Sequence, residues 1–363
     1  MKKENICVKV MIFNFLNAVM FSIIRQEARW NEMKKLLLIT TGGTIASSPS
    51  DEGLIPALNS QELLSILGLR EEHIQLDCED LLNLDSSNMQ PEEWKLIARR
   101  IYEVYADYDG IILTHGTDTM AYTASALSFM LRNLPIPVIL TGSQLPLLHP
   151  LSDGVDNIRL AFAAAQCSLH GVYICFNRKL MLGTRAVKVR TMNFDAFESV
   201  NAQPIGIVDA RGLHIYEKDA ITLKGKCELY DHLCEDVYLM KLTPGMNPEI
   251  LDVLANMNYR GIVIEAFGAG GIHFIRRDLI SKLEEIVAKG ISVVVCSQCL
   301  YENSDFSIYQ TGQKVLRHGV IQGYDMTSEA CLTKLMWALG QTTDPQTVKD
   351  IFATNYVNEI TLK

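Results

Sequence analysis

From Leu36 onward, short continuous apolar runs alternate with longer stretches in which apolar residues recur every three or four positions. The runs at 36–39, 111–113, 138–140 and 172–176 are rich in leucine and β-branched residues, as parallel strands covered on both faces are. Between them the spacing predicts helices over 60–67 and 91–105. Ser60 suits an N-cap, and Pro91 with Glu92 and Glu93 suits a first turn. Residues 211–235 are polar and lack a sustained period, which predicts a hairpin plus linker. A second alternation follows: strand 237–242, helix 247–257, strand 261–266, helix 277–289 and strand 291–295. Leu279, Ile280, Leu283, Ile286 and Val287 share one helical face, and Gly290 stops that helix. Residues 330–339 read as another core helix. The pattern predicts an α/β fold. A larger, open, mostly parallel sheet with helices on both faces occupies 33–210, a linker 211–236, and a smaller C-terminal α/β domain 237–363.

Three strand runs end in the same chemistry: Thr41-Gly42-Gly43-Thr44, Thr114-His115-Gly116-Thr117 and Thr141-Gly142-Ser143. The first two read as strand, glycine turn and helix start. In an open α/β sheet, small molecules bind outside the carboxyl ends of the strands. Two hydroxyl-bearing turns there point to a hydroxyl nucleophile and a second polar group facing one small substrate. Thr44 follows two glycines that let a ligand approach the backbone closely, and the helix start offers free N–H groups to an anionic oxygen. Thr44 is either an acyl-transfer nucleophile, given a nearby base, or a helix cap. Asp118, beside Thr117, can hold a substrate ammonium or orient a lysine. His115 reads as structural, its side chain turned into the sheet, and Thr119 as a helix-start residue. Lys188 sits in Gly183-Thr184-Arg185-Ala186-Val187-Lys188. It is either a proton acceptor, because burial disfavours an ammonium, or a surface lysine in a basic patch with Arg185 and Arg190; composition alone favours the patch. Asp85-Ser86-Ser87-Asn88 is either a helix cap or a polar turn that grips a carboxylate.

A chain of 363 residues exceeds one ordinary core. The net charge of −9 disfavours nucleic acid, whose phosphates need a basic surface. Nine cysteines without a disulfide-like framework fit a reducing cytosol. Cys296-Ser297-Gln298-Cys299 has no second pair at zinc spacing and reads as two plain thiols at a strand end. Residues 1–32 do not match the rest. The apolar stretch 10–24 is interrupted by Asn14 and Asn17 and is too short to span a membrane. Glu27-Ala28-Arg29-Trp30-Asn31-Glu32 makes a poor signal-peptide cleavage site. Met33-Lys34-Lys35, by contrast, leads straight into the first strand as a natural start would. Trp30 is coded by TGG; with AGG for Arg29, the two codons would resemble a bacterial ribosome-binding site just upstream.

Taken together, Thr41-Gly42-Gly43-Thr44-Ile45-Ala46 and Thr114-His115-Gly116-Thr117-Asp118-Thr119-Met120 resemble the paired signature of bacterial-type L-asparaginases. Asp85-Ser86-Ser87-Asn88-Met89, Thr141-Gly142-Ser143-Gln144, the stretch around Lys188, Gly268-Ala269-Gly270-Gly271 and Gln298-Cys299 follow in the family's order. The resemblance spans Met33 to the C-terminus and looks most like the cytoplasmic type I branch. It implies a cytoplasmic L-asparagine amidohydrolase that yields L-aspartate and ammonia, with no cofactor, no metal and no nucleic-acid or membrane partner. Carried over, it implies Thr44 as the nucleophile that forms an acyl-enzyme ester. Thr117, Lys188 and Asp118 form a second cluster, with Lys188 as base, Thr117 activating or positioning water, and Asp118 also on the substrate ammonium. Asp85, Ser86 and Ser87 would hold the α-carboxylate. Which threonine attacks first has competing accounts in this family. The resemblance further implies a homodimer or homotetramer in which the smaller domain of one chain closes the site of its neighbour. One departure stands out. Leu54 lies where many members place a tyrosine hydrogen-bonded to the nucleophile, and no tyrosine precedes Tyr102. Proton removal from Thr44 then needs another group: Lys188 through Thr117, or a residue of another chain.

Two other functions fit parts of this pattern. An amidotransferase component that supplies ammonia for glutaminyl-tRNA formation needs an extra N-terminal domain, for which 1–32 is too short, and a tRNA partner, at odds with the acidic charge. A non-catalytic amide-binding sensor fits Leu54 but not the retention of Thr44, Thr117, Asp118 and Lys188. A dinucleotide-binding fold lacks its G-x-G-x-x-G. The start at Met33 is testable by the N-terminal mass of the native protein: a chain beginning at or just after Met33 is expected, and an intact Met1 sinks the idea.

Overall fold

The computed structural model describes residues 33–50, 53–56, 60–62, 74–304, 306 and 310–361. The expected helix over 60–67 is helical at 60–62; its remainder, like 1–32, lies outside the described residues. In chain order the strands are β1 (Lys34–Gly42), β2 (Ser47–Ser50), β3 (Gly53–Pro56), β4 (Ile74–Leu84), β5 (Gly110–Thr114), β6 (Leu131–Arg132), β7 (Pro137–Thr141), β8 (Gly171–Phe176) and β9 (Lys179–Leu182). They continue with β10 (Ala186–Lys188), β11 (Phe197–Ser199), β12 (Gly206–Asp209), β13 (Gly212–Ile215), β14 (Glu228–Leu229), β15 (Val237–Lys241), β16 (Gly261–Ala266), β17 (Ser292–Ser297) and β18 (Ile321–Gln322). The helices used below are α1 (Pro91–Val104), α2 (Met120–Met130), α3 (Gly154–Ala165), α4 (Ile250–Asn256), α5 (Leu279–Ala288), α6 (Gln310–Arg317), α7 (Ser328–Gln341) and α8 (Pro345–Ala353).

The larger lobe is built on an eight-stranded sheet ordered β13-β12-β9-β8-β7-β5-β1-β4. The five strands from β8 to β4 run parallel, and β9, β12 and β13 extend that sheet antiparallel. Its central strands are continuous apolar runs because both faces are covered. Leu37, Ile39, Ile111, Leu113, Val138 and Leu140 enter one core with α1 and α2. Leu36, Leu38, Ile112 and Ile139 enter the opposite core with α3. The two-residue side-chain period of a strand thus feeds two cores from one run. Helix α1 starts as expected: Pro91 follows Gln90, whose N–H donates to Glu93 Oε2 at 2.9 Å. Its buried Trp94, Ile97, Ala98, Ile101 and Val104 form one stripe. The chain passes from β1 to β4 on one side and then returns to β5 on the other, so the strand order reverses at β1. Such a reversal opens a crevice beyond the carboxyl ends of the strands.

The smaller lobe is a four-stranded parallel sheet, β15-β16-β17-β18, with a core that α5 enters through Leu279, Ile280, Leu283 and Ile286. Gly290 follows α5 at φ +86°, a left-handed stop. The fold is therefore the α/β arrangement that the sequence predicts. The expected boundary at residue 210 falls inside the β12–β13 hairpin, which pairs through β12 with β9 and belongs to the large sheet. The hairpin read over 211–235 thus begins earlier than that boundary, with β12 at Gly206, and its second strand packs Leu213 and Ile215 on the core of the large sheet.

Helix α7 packs against α2 and also against β15, β16 and β17, so it serves both lobes. Its Lys334 is fully buried. Nζ donates to Glu359 Oε1 at 2.6 Å and to the Thr354 carbonyl at 2.9 Å. The Glu359 carboxylate also accepts the N–H groups of Tyr356 and Val357. Burial pushes the Lys334 ammonium below its ordinary pKa, and Glu359 opposes that shift. Residues 354–359 are thereby clamped beneath α7. Lys334→Ala leaves the Glu359 carboxylate buried without its cation, a change worth about 3–5 kcal/mol. A lower denaturation midpoint is expected in urea unfolding; an unchanged midpoint would contradict the clamp.

Candidate functional site

Three loops meet at the carboxyl ends of β1, β4 and β5, and glycines set how closely. Gly42 and Gly43 have φ of +97° and +82°, a region that side chains disfavour. A Cβ on Gly43 would stand 2.4 Å from the Gly116 nitrogen, and one on Gly116 would stand 2.5 Å from Ser86 Oγ. The 42–44 and 115–118 turns therefore abut backbone to backbone, and the Ser86 side chain packs against Gly116. Hydrogen bonds fasten them: Gly43 N–H to the Leu84 carbonyl at 3.0 Å, Thr41 Oγ1 to the Thr114 carbonyl at 2.8 Å, Asp118 N–H to Ser86 Oγ at 3.3 Å, and Thr119 Oγ1 to the Ser86 carbonyl at 2.7 Å. Thr44 opens a short 3-10 turn at the edge of this contact and is half-buried, while Ile45 behind it is buried in the core with α3.

The second cluster is assembled from two distant segments. Lys188 Nζ donates to Thr117 Oγ1 at 2.8 Å and to Asp118 Oδ1 at 2.7 Å. Thr117 is buried, and the Lys188 side chain is 17% exposed against 65% for Asp118. Lysine and threonine are thus sequestered beside a carboxylate that faces solvent. The basic patch that composition favoured does not form: the Arg185 side chain is 2% exposed, and of the three only Arg190 reaches the surface, paired with Glu198 at 2.7 Å.

Asp85 takes the capping role. Its carboxylate accepts Ser87 N–H at 2.8 Å and Ser87 Oγ at 2.6 Å, and those two bonds hold its pKa below the ordinary value. Asp85 thereby shapes the turn on which Ser86 and Ser87 stand. His115 is structural, as expected. Its Nδ1 faces the Gly116 carbonyl at 2.7 Å and its Nε2 faces Thr123 Oγ1 at 2.9 Å, which accepts the Trp94 indole N–H at 3.0 Å. A carbonyl only accepts, so Nδ1 carries the proton and Nε2 accepts from Thr123. This relay fixes the Gly116 peptide that touches Gly43. Cys296 is buried and Cys299 exposed. Among the described residues no group of His, Cys, Asp and Glu could hold a metal ion, and no helix is long and apolar enough to cross a membrane.

Sequence reasoning did not single out Gln144. Thr117 Oγ1 donates to Gln144 Oε1 at 3.3 Å, and Gln144 Nε2 donates to the carbonyls of Thr191 and Asn193. Asp153 holds the Gln144 and Leu145 N–H groups. The signal was present in the third hydroxyl-bearing strand end, whose next residue is Gln144. The described backbone of β2 and β3 pairs Leu54 with Pro49; the Leu54 side chain lies outside what is described.

Comparison with known proteins assigns this site to a family. A family model described as Asparaginase, N-terminal, matches residues 35–221, and one described as Glutaminase/Asparaginase C-terminal domain matches 236–352. The chain belongs to the asparaginase family. It is 44% identical to an L-asparaginase of Thermococcus kodakarensis over 330 residues, covering 90% of this chain and 99% of that one. The solved structure of the thermostable L-asparaginase from T. kodakarensis superimposes with a TM-score of 0.86 over 91% of this chain and all of that chain. L-asparaginase I of Vibrio cholerae, 32% identical, gives 0.79 over 91% and 99%. The chain is also 35% identical to a component of the glutamyl-tRNA(Gln) amidotransferase of Methanosphaera stadtmanae, covering 91% of this chain and 77% of that one.

The His115 relay gives this asparaginase-family fold a pH signature. Burial lowers the His115 pKa from 6.5 to about 4, so the folded state holds the ring neutral. As pH falls below 6.5 the unfolded chain binds a proton that the folded chain refuses. Stability present above 6.5 is lost towards pH 4, by up to about 3 kcal/mol. In thermal unfolding, His115→Gln is expected to flatten that part of the profile relative to the parent; parallel profiles would contradict the relay.

Proposed function

We propose that this chain hydrolyses the side-chain amide of L-asparagine to L-aspartate and ammonia by threonine-based nucleophilic catalysis. The observation that carries the reading is the contact of the Thr44 turn, through Gly43 and Gly116, with a loop whose Thr117 and Asp118 are both bonded to Lys188. Such an arrangement supplies a hydroxyl nucleophile and a base-linked second hydroxyl around one small cleft. Family membership and 44% identity to an L-asparaginase support the same substrate class.

In this reading Thr44 Oγ attacks the amide carbon, the C–N bond breaks, and ammonia leaves with the proton taken from the hydroxyl. Water, positioned by Thr117, then gives a proton to the neutral amine form of Lys188 and cleaves the aspartyl ester, and that proton restores the Thr44 hydroxyl. Asp118, exposed and anionic, takes the substrate ammonium. Ser86, Ser87 and the neighbouring N–H groups take the α-carboxylate, with Asp85 holding the turn. Leu54 offers no proton acceptor, so the Thr44 proton passes through Thr117 to the neutral amine form of Lys188, or to a group of a second chain, and from there to the leaving nitrogen. No cofactor is required. Leu148 and Leu151, after Gln144, and Met192 and Phe194, in the loop that Gln144 holds, are exposed near this cluster. That apolar rim supports a homodimeric or homotetrameric contact here. The acidic charge supports a reading without nucleic acid, and the cysteine usage one in the cytoplasm. The division into a catalytic lobe, a linker and a smaller lobe from residue 237 belongs to the same proposal.

The second reading, an ammonia-supplying part of an amidotransferase, rests on the 35% identity to the Methanosphaera stadtmanae protein. One assay separates the two: ammonia release from L-asparagine and L-glutamine by the purified chain without a partner. Release from asparagine is expected, with a loss of at least about 10³-fold in Thr44→Ala. No release without tRNA and a partner protein, or a Thr44→Ala variant as active as the parent, would overturn the proposal.

A further inference from the structure

Lys188 owes its place to a short ribbon, and that ribbon is anchored outside the larger lobe's sheet. β10 pairs with β11 alone. Immediately before β10 stands Arg185, the largest fully buried side chain of the described residues. Its guanidinium is bonded on every side. Nε donates to the Asn358 carbonyl at 2.8 Å and Nη1 to the Asp325 carbonyl at 3.0 Å. Nη1 also lies 3.1 Å from Asp325 Oδ2, and Nη2 donates to Thr361 Oγ1 at 3.3 Å. Asp325 belongs to the segment between β18 and α7 of the smaller lobe, and Asn358 and Thr361 to the C-terminal tail. The Asp325 carboxylate accepts Thr361 N–H at 2.9 Å and Thr361 Oγ1 at 2.6 Å. Asn201, just after β11, reaches the same Asp325 carbonyl at 2.9 Å.

A buried ion pair is a poor source of stability, since apolar side chains of like volume often serve as well. What a guanidinium does supply is a fixed fork of donors. Here the fork registers two separate segments, the one before α7 and the C-terminal tail, against the residue that leads into the ribbon, three positions before Lys188. We infer that Arg185, through Asp325, Asn358 and Thr361, is a positioning residue for Lys188. The smaller lobe and the tail thus set where the lysine meets Thr117 and Asp118. The inference rests on the proposed asparagine hydrolysis for its readout. Parent turnover of asparagine is therefore measured first, and its absence would count against that function and not against the anchor.

The test removes both charges together, Arg185→Met with Asp325→Leu, so that no lone buried charge remains. The melting temperature is expected to stay within about 5 °C of the parent, because the paired replacement keeps the volume apolar. At the same time kcat is expected to fall about 10–100-fold with KM changed less than about threefold, the cost of misplacing a catalytic group by an ångström. Arg185→Lys, which keeps a donor but not the fork, is expected to recover part of kcat. A folded double variant with parental kcat, or one in which KM alone rises, overturns the inference. Should the double variant not fold, Thr361→Val decides. It removes one arm of the anchor at the protein's rim, and a several-fold loss of kcat at unchanged KM supports the role, while unchanged kcat overturns it.

Discussion

The site depends on one close approach: the backbone of Gly43 against the backbone of Gly116, at the strand where the sheet order reverses. The contact is possible because neither residue carries a Cβ and because Gly43 adopts a left-handed conformation. It brings together a turn from β1 and a turn from β5, while Ser86 closes the third side. Nothing about the separate loops would set the spacing between Thr44 and Thr117; the peptide-to-peptide contact does. The buried relay from Trp94 through Thr123 to His115 then holds the Gly116 carbonyl in place. A neutral, buried imidazole suits that task, since a charged one in an apolar layer would cost several kcal/mol.

The groups of the candidate site are polar, yet their supports are buried and ionic. Lys188 is held by a ribbon, the ribbon by Arg185, and Arg185 by Asp325 and the tail, which Lys334 and Glu359 clamp in turn. Each member is paired or hydrogen-bonded, as buried charge requires. The tail beyond α8 is thus part of the framework on which the cluster rests. Both lobes contribute to a site whose named residues all lie in one of them.

Much of this is legible in the sequence, for identifiable reasons. The runs at 111–113 and 138–140 are strands because both faces of the sheet are covered, and continuous apolar composition reports that directly. Glycine-flanked threonines at strand ends report the crevice. Three features are hidden. β13 lies in the segment read as hairpin plus linker, but its membership of the larger sheet comes only through the pairing of β12 with β9. Arg185 looks like a surface cation beside Lys188, because burial of a charge depends on partners more than a hundred residues away. In the sequence Asp85 is open between a cap and a ligand-gripping role, and its bonds to Ser87 show the cap. For β13 and Arg185 the deciding interaction is long-range, and for Asp85 it is the local geometry of the turn; composition carries neither.

The most direct measurement is a crystal structure of the protein with L-aspartate, the product of the proposed reaction, bound. The account predicts the α-carboxylate on the 86–87 turn, the ammonium against Asp118, and the side-chain carboxylate between Thr44 and Thr117 with Lys188 still on Thr117. Aspartate bound elsewhere, or bound with Thr44 turned away from its side chain, would contradict it.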